Sequence, residues 1–128
     1  MVELMAIVRR DRAIATKAEL ARIGCAGYSW FPVLGRGRQR GLQGDQALPG
    51  FSFLPKALFI VIVEKAQTDE TIEAIIRANQ TGEFGDGKLF VLETREAYRV
   101  STGEAGSPSA APTVVGARSV ATCEVKES

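Results

Sequence analysis

The stretch TGEFGDGKLFV, residues 81–91, places three glycines within six positions and a lysine directly before an apolar run. Glycine lets the backbone take conformations that a side chain forbids, and it brings N–H groups within reach of an anion. Lys88 adds a mobile positive charge, so the stretch predicts a phosphate-binding loop that follows a helix and runs into a strand. A tight turn with a solvent-facing Lys88 is the alternative that this stretch alone leaves open. It is not a Walker A loop, which needs GxxxxGK[ST] between a strand and a helix, and it lacks the GxGxxG spacing.

Composition narrows the possible function classes. The chain has 128 residues, which predicts one domain with a modest core. Its net charge is +1, from 16 Lys+Arg and 15 Asp+Glu, so overall charge indicates neither nucleic acid nor an anionic membrane as a partner. The chain has no histidine, which argues against zinc sites and against Ser-His-Asp catalysis.

Cysteine spacing and apolar run lengths indicate the compartment. Cys25 and Cys123 lie too far apart in the sequence for a CxxC site, so free thiols are expected, with a bridge between the two as the alternative. The first ten residues carry charge at Glu3, Arg9 and Arg10. No segment approaches the ~20 apolar residues needed to span a membrane. We therefore expect a cytoplasmic protein with no direct membrane insertion.

Apolar patterning predicts four strands. They are expected at residues 2–8, 28–34, 57–63 and 88–92. The first is expected to be buried on both faces or nearly so, and the third, which is the most apolar, to be central. Pro32 inside the second strand favours an edge position or a bulge. Residues 97–100 are predicted to continue or re-enter the sheet.

Two helices are predicted between these strands. The first covers residues 13–23 and ends at Gly24. The second begins near Thr68, which is expected to be its N-cap, and ends at Asn79 and Gln80. Its isoleucines, Ile72, Ile75 and Ile76, are expected to form the buried stripe.

Two segments show no helix or strand period. The root of a long loop, GRGRQRG at residues 35–41, is basic, and residues 42–52 are irregular. Long loops in compact domains are usually functional or disordered. After Gly103 the composition changes to Gly, Ser, Pro and Ala. We therefore predict a domain at residues 1–104 and a flexible C-terminal tail at residues 105–128, with one short strand within residues 113–125.

The order strand, helix, strand, long loop, strand, helix, loop, strand predicts an α+β, ferredoxin-like (split βαβ) fold. Its antiparallel sheet carries both helices on one face. The strands contain too many apolar residues for the other face to remain exposed to solvent. Self-association is therefore expected. In this topology Arg38, Gln39 and Lys88 can converge around one polyphosphate. The alternative is that the arginines simply face solvent at the start of the long loop and bind no ligand.

The sequence resembles the PII signal-transduction proteins, which are trimeric sensors of adenylate charge and 2-oxoglutarate. The segments that carry the resemblance are GRGRQRG at 35–41, FLPK at 53–56, TGEFGDGKLFV at 81–91 and RVSTGE at 99–104. The resemblance covers nearly everything from residue 1 to residue 104. VLGRGRQRG and ANQTG are similar to the nitrogenase-associated branch of the family. The positions at which this chain departs from the usual family pattern fit carbon-sensing relatives that respond to bicarbonate equally well.

The resemblance implies that ATP or ADP binds in clefts between the subunits of a homotrimer. The implied nucleotide-binding residues are Ile7, Ser29, Gly35, Gly37, Arg38, Gln39, Ile60, Val61, Ile62, Gly85, Asp86, Gly87, Lys88 and Arg99. The glycine loop, residues 85–88, wraps the phosphates, and the adenine and ribose pocket is lined by Ile7, Ser29 and the backbone of residues 60–62. Arg99 reaches in from the neighbouring chain. No catalytic residue is implied.

The resemblance also implies a small-carboxylate site for 2-oxoglutarate, filled only together with Mg-ATP, or for bicarbonate. Its matching positions are Gly37, Gln39, Arg40, Gly41 and Lys56. Gln39 is implied as a magnesium ligand, which suits a cation that prefers oxygen donors. Lys56 is implied to pair with a carboxylate.

Two departures from the family pattern carry expectations of their own. Ser101 stands where the family usually has a second arginine, in RIRTGE, that contacts the terminal phosphates. ADP or AMP is therefore expected to bind comparably with ATP. The long loop, called the T-loop in this family, is about two residues shorter than in enterobacterial members and has no tyrosine, so uridylylation of a tyrosine there is excluded.

The leading expectation is a non-enzymatic regulator. It binds adenine nucleotide and controls an enzyme, transporter or regulator in nitrogen or inorganic-carbon metabolism through the T-loop. One alternative is a weak nucleotide-hydrolysing enzyme, whose base would have to be Asp86, Glu83 or water. The other is a structural trimer with a vestigial site.

Overall fold

A computed structural model of the protein describes residues 1–25, 27–37 and 53–105. Its strands are β1 (Val2–Arg9), β2 (Ser29–Gly35), β3 (Leu54–Val63) and β4 (Gly87–Glu93), and its helices are α1 (Ala13–Arg22) and α2 (Thr68–Asn79). A short 3-10 turn leads into each helix, at Arg10–Arg12 and Lys65–Gln67. The four predicted strands and two predicted helices are all present, with β3 longer at its start than expected.

The four strands form one antiparallel sheet in the order β2-β3-β1-β4. The most apolar strand, β3, is central, as predicted. Pro32 lies in β2, which is an edge strand, and a proline without an N–H group is tolerated there because one side of the strand has no partner. The predicted ferredoxin-like arrangement of the sheet and two helices is confirmed.

One face of the sheet forms the core with the helices. Alternate residues of the inner strands point to this face, and they are Val2, Leu4, Ala6 and Val8 of β1 and Ala57, Phe59, Val61 and Val63 of β3. Leu20 of α1 and Ile75 of α2 pack against them. The other residues of β1 are only half-buried, so the expectation that this strand is buried on both faces is corrected.

A buried hydrogen bond joins the two helices. Asn79 Nδ2 donates to Thr16 Oγ1 at 2.9 Å, and the Thr16 hydroxyl donates to the Arg12 carbonyl at 2.8 Å. Both Thr16 and Asn79 are buried. Because a buried polar group is costly without a partner, this pair fixes how α1 and α2 sit against each other on the sheet.

One prediction about α2 is wrong and another is confirmed only in part. Gln67 is the N-cap residue and makes no side-chain cap hydrogen bond, while Thr68 Oγ1 donates back to the Glu64 carbonyl at 3.4 Å. Ile76 is 44% exposed. Ile75 is buried and Ile72 packs partly buried against the core, as predicted, whereas small and polar residues, Thr71, Ala74, Ala78 and Asn79, fill the rest of the buried face.

The segment after β4 does not rejoin the sheet, contrary to the prediction for residues 97–100. Tyr98 instead forms an isolated antiparallel bridge with Ala105. The Arg99 amide donates to the Glu104 carbonyl at 3.0 Å, and the Gly103 amide donates to the Arg99 carbonyl at 2.7 Å. The segment therefore closes on itself in a local turn.

Cys25 is buried and is not a free thiol, so the expectation of free thiols is wrong for this residue. Cys123, the predicted tail strand and most of the T-loop lie outside the described residues. Within the described ranges, no helix is both long enough and apolar enough to cross a membrane.

Candidate functional site

The face of the sheet opposite the helices is mostly apolar and also carries Glu3, which is the cross-strand partner of Ile62 and Leu92. Strand alternation and register place these side chains on it: Met5, Ile7, Phe31, Val33, Leu58, Ile60, Ile62, Phe90 and Leu92. Phe31 is 42% exposed and Phe90 is 47% exposed. No helix of the described chain packs on this face. We call it the open face.

Three cationic side chains lie at one end of the open face. Arg9 is the cross-strand partner of Lys56, and Lys88 is the cross-strand partner of Ile7. Lys56 is only 8% exposed, whereas Lys88 is exposed. Three like charges at one end of a sheet make that end electropositive and suited to an anion.

A carboxylate organises the loop between α2 and β4. Asp86 Oδ2 accepts hydrogen bonds from the amides of Thr81 and Gly82 at 2.8 and 2.9 Å. Its Oδ1 accepts from Thr81 Oγ1 at 2.6 Å and from Arg9 Nη2 at 3.1 Å. Desolvation raises the pKa of Asp86, but these hydrogen bonds outweigh it and hold the pKa well below the usual value. Asp86 is therefore an ionised anchor for the loop.

Two of the cations hold consecutive carbonyl groups of this loop. Arg9 Nη2 donates to the Phe84 carbonyl at 2.8 Å, and Lys56 Nζ donates to the Gly85 carbonyl at 2.9 Å. Burial and the neighbouring Arg9 lower the pKa of Lys56, while Asp86 opposes that shift. The amides of Phe84 and Gly85 donate no hydrogen bond within the described part of the chain. Consecutive unpaired N–H groups of this kind form anion-binding concavities.

Two glycines of the loop are required by the geometry. Gly85 has φ +96° and Gly87 has φ +113°, which L side chains rarely adopt. A Cβ on Gly87 would collide with the carbonyl oxygen of Ile7, and a Cβ on Gly85 would lie 3.2 Å from Arg9 Nη1. Glycine therefore does more here than make a turn, because it lets the loop lie directly on β1 and the Arg9 guanidinium.

The structure brings part of the sequence-predicted site together. The residues that meet at the cationic end are Ile7, Lys56, Gly85, Asp86, Gly87 and Lys88. Gly35 ends β2 beside them, where a Cβ would lie 3.1 Å from Lys56 Cγ.

Among the residues predicted to line the base pocket, Ile7 lies opposite Lys88, whereas the others lie further along the sheet. Ser29 pairs with Ile60, which is four positions from Lys56 on β3 and so about 13 Å away. Ile62 also belongs to the open face. The side chain of Val61 is buried in the core, so only its backbone can line a ligand site. These residues form a second group, separate from the glycine loop of the same chain.

The remaining predicted residues are not brought to the loop. No hydrogen bond or ion pair of Arg99 reaches the glycine loop within the described residues. Gly37 is exposed just beyond β2. Arg38, Gln39, Arg40 and Gly41 lie outside the described residues. In the part of the chain that the structure describes, no three His, Cys, Asp or Glu side chains are placed to hold a metal ion.

The sequence prediction omits Arg9 and Thr81 from the site. In the sequence, Arg9 is one of several charged residues near the N-terminus. Its role depends on the strand register that places it opposite Lys56. A signal for Thr81 is present, because a hydroxyl residue shortly before an aspartate in a glycine-rich loop is typical of side-chain to backbone turn motifs.

Comparison with known proteins identifies the family. Residues 1–104 match the family described as Nitrogen regulatory protein P-II. The chain belongs to the PII family. The predicted family is thereby confirmed, and PII proteins are regulators.

Individual PII relatives match over most of their length. The nitrogen fixation nifHD1 region GlnB-like protein 2 of Methanosarcina barkeri is 36% identical over 118 residues, covering 83% of this chain and 96% of the relative. The nitrogen regulatory protein P-II 2 of Methanothermobacter thermautotrophicus is 35% identical over 108 residues, covering 83% and 94%. The crystal structure of Arabidopsis thaliana PII bound to citrate superimposes with a TM-score of 0.65 at 33% identity, covering 83% of this chain and 85% of that one.

Proposed function

We propose that this PII protein is a sensor that binds ADP or ATP at its glycine loop and regulates a partner protein in nitrogen metabolism. The observation that carries the proposal is the glycine loop itself, whose carbonyls at Phe84 and Gly85 are held by Arg9 and Lys56. Its unpaired amides and the exposed Lys88 lie next to them. Backbone N–H groups combined with cationic side chains are a common way to bind phosphate.

The charges near the loop favour a polyphosphate. Arg9, Lys56 and Lys88 supply three positive charges. The carboxylate of Asp86 already accepts hydrogen bonds from Thr81, Gly82 and Arg9. Opposite these three cations are Asp86, whose charge is engaged in the loop, and the exposed Glu83, so the cluster retains a net attraction for an anion with several charges.

We propose a homotrimer in which the open faces of three chains meet. The exposed aromatic residues of that face support self-association, because soluble monomers rarely expose large apolar patches. In such an assembly the base of the nucleotide would contact Ser29, Ile60 and Ile62, with Arg99 supplied by a neighbouring chain. On β3, Val61 and Ile62 lie beyond Ile60, the last residue that pairs with β2. The backbone groups that these two residues present toward β2 are therefore not used in hydrogen bonds between the strands.

We propose a small carboxylate, 2-oxoglutarate or bicarbonate, as a second effector that binds with Mg-ATP. Lys56 would pair with a carboxylate of this ligand, and Gln39 would ligate the magnesium. One relative, the Arabidopsis thaliana PII, has been crystallised bound to citrate, which is also a carboxylate. The T-loop would then transmit the bound state to an enzyme, transporter or regulator.

The names of the relatives favour nitrogen metabolism over inorganic carbon. Several are proteins of nitrogen-fixation gene regions. A hydrolytic enzyme is less well supported, because the low pKa of Asp86 and its four hydrogen bonds make it a poor proton acceptor.

Calorimetric titration with ATP, ADP, AMP, 2-oxoglutarate and bicarbonate, singly and in pairs with Mg²⁺, tests the proposal. We expect ADP and ATP to bind and Lys88→Ala to weaken both about tenfold or more. Lys65→Ala is the matched control, because Lys65 follows the opposite end of β3 and contacts Glu93 across 4.0 Å at the surface. No binding of any nucleotide, or equal affinity in Lys88→Ala, would contradict the proposal.

Light scattering tests the assembly. We expect a particle three times the 13.7 kDa mass of the chain. Phe90→Glu, which places a charge on the open face, should shift it toward monomer. A monomeric wild-type protein would contradict the trimer.

A further inference from the structure

We propose that Arg9 is the positioning residue that sets the glycine loop to receive phosphate, an inference that rests on the proposed nucleotide-binding function. Arg9 ends β1 and is separated from the loop by most of the chain, yet one guanidinium nitrogen contacts both the Phe84 carbonyl and Asp86. No other described side chain bonds two separate groups of this loop from outside it.

Peptide geometry connects the Arg9 contact to the ligand. The carbonyl of one residue and the N–H of the next point in opposite directions across a trans peptide. When Arg9 holds the Phe84 carbonyl at 2.8 Å, it turns the Gly85 N–H away from the guanidinium. Lys56 acts in the same way on the next peptide through the Gly85 carbonyl at 2.9 Å. Two consecutive peptide groups are thus oriented by cations before any ligand binds.

Charge gives Arg9 a second effect. Asp86 is ionised and lies inside the loop that would hold phosphate, so its charge repels the ligand unless it is compensated. Arg9 Nη2 forms an ion pair with Asp86 Oδ1 at 3.1 Å, and the two side chains are 32% and 23% exposed. A pair this poorly exposed is screened less by salt than a surface pair. Arg9 therefore allows the loop to use Asp86 as an anchor without losing its attraction for anions.

The test is a mutant cycle read by ADP affinity. We expect Arg9→Gln to weaken ADP binding about tenfold or more, because the Asp86 charge is left uncompensated and the Phe84 carbonyl loses its donor. Arg9→Gln with Asp86→Asn should regain part of that loss, because the pair of changes restores the local net charge. Arg9→Lys keeps the charge but cannot reach both acceptors in the same way, so its affinity should fall between wild type and Arg9→Gln.

A matched arginine provides the control. Arg77 pairs with Glu19 on the helix side of the molecule, so Arg77→Gln makes the same chemical change away from the loop and should leave ADP affinity unchanged. A purely structural role for Arg9 would lower thermal stability without recovery of affinity by Asp86→Asn.

The outcomes separate the inference from the function it rests on. If wild type binds ADP and Arg9→Gln binds it equally well, the role of Arg9 is wrong and the nucleotide site stands. A double variant whose loss equals the sum of the two single losses also overturns the role of Arg9, because the two residues then act independently. Failure of wild type to bind any nucleotide overturns both.

Discussion

Lys56 Nζ donates a hydrogen bond of 2.9 Å to the carbonyl oxygen of Gly85, which links the inner strand β3 to the glycine loop. The same ammonium is the group proposed to pair with a small carboxylate. A carboxylate that captures Lys56 therefore competes with the Gly85 carbonyl for its protons. This contact gives the carboxylate and phosphate sites a direct physical connection.

Lys56→Met should uncouple the two effectors. Methionine keeps a long unbranched side chain but removes the ammonium, so ADP binding should weaken and any effect of 2-oxoglutarate or bicarbonate should vanish. Little stability should be lost, because the buried ammonium has a lowered pKa that reflects its desolvation cost. Calorimetry and thermal unfolding measure both effects, with Lys65→Met as the control. A preserved carboxylate response in Lys56→Met would rule out this role.

Gly87→Ala should destabilise the protein more than Gly24→Ala. Both glycines have positive φ, +113° and +83°, so alanine is strained by roughly 1–3 kcal/mol at either position. Only at Gly87 would the new Cβ also collide with a backbone atom, the Ile7 carbonyl oxygen, whereas nothing lies within 4 Å at Gly24. Urea unfolding of the two variants gives the comparison. Equal losses of unfolding free energy would show that β4 does not lie on β1 as described.

Asp86 should contribute a pH dependence to stability. Its pKa in the folded protein is below the value of about 3.9 expected in the unfolded chain. Its contribution is therefore complete above that unfolded value and is lost as the pH falls through the folded pKa. Urea midpoints measured from about pH 6 to pH 2 should fall less steeply in Asp86→Asn than in wild type. Parallel curves for the two proteins would be inconsistent with the hydrogen bonds assigned to Asp86.

Ser101→Arg should increase the preference for ATP over ADP. Ser101 is exposed in the turn that follows Arg99, where a second arginine would add a positive charge for the terminal phosphate. Wild type should bind ADP and AMP comparably with ATP. Titration of the three nucleotides into both proteins measures the ratio. No gain for ATP in the variant would refute the explanation based on Ser101.

Much of the fold follows from local sequence patterns. Apolar runs and breaker residues predicted each strand and helix that the structure describes, and Pro32 correctly indicated an edge strand. Ile76 and Thr68 show where such patterns fail. The small residues that let α2 approach the sheet determine which face of this helix is buried. The turn that precedes the helix determines which residue is its N-cap. Both are set by tertiary packing.

The site was predicted less completely. The glycine loop and Lys88 are visible in the sequence because their chemistry lies within one short segment. Arg9 is far from the loop in sequence, and its contact with Phe84 depends on the pairing of β1 with both β3 and β4. Such a contact follows from the pairing register of the strands, which cannot be derived from composition or residue spacing.

The central claim is that phosphate binds at the glycine loop, and amide-resolved NMR tests it most directly. Addition of ADP to ¹⁵N-labelled protein should shift the amide signals of Phe84, Gly85 and Lys88 most, since the first two have no hydrogen-bond acceptor in the described chain. Amides near Glu19, which pairs with Arg77 on the helix side of the molecule, should change little. Shifts that centre away from residues 84–88, or no shift at saturating ADP, would contradict the claim.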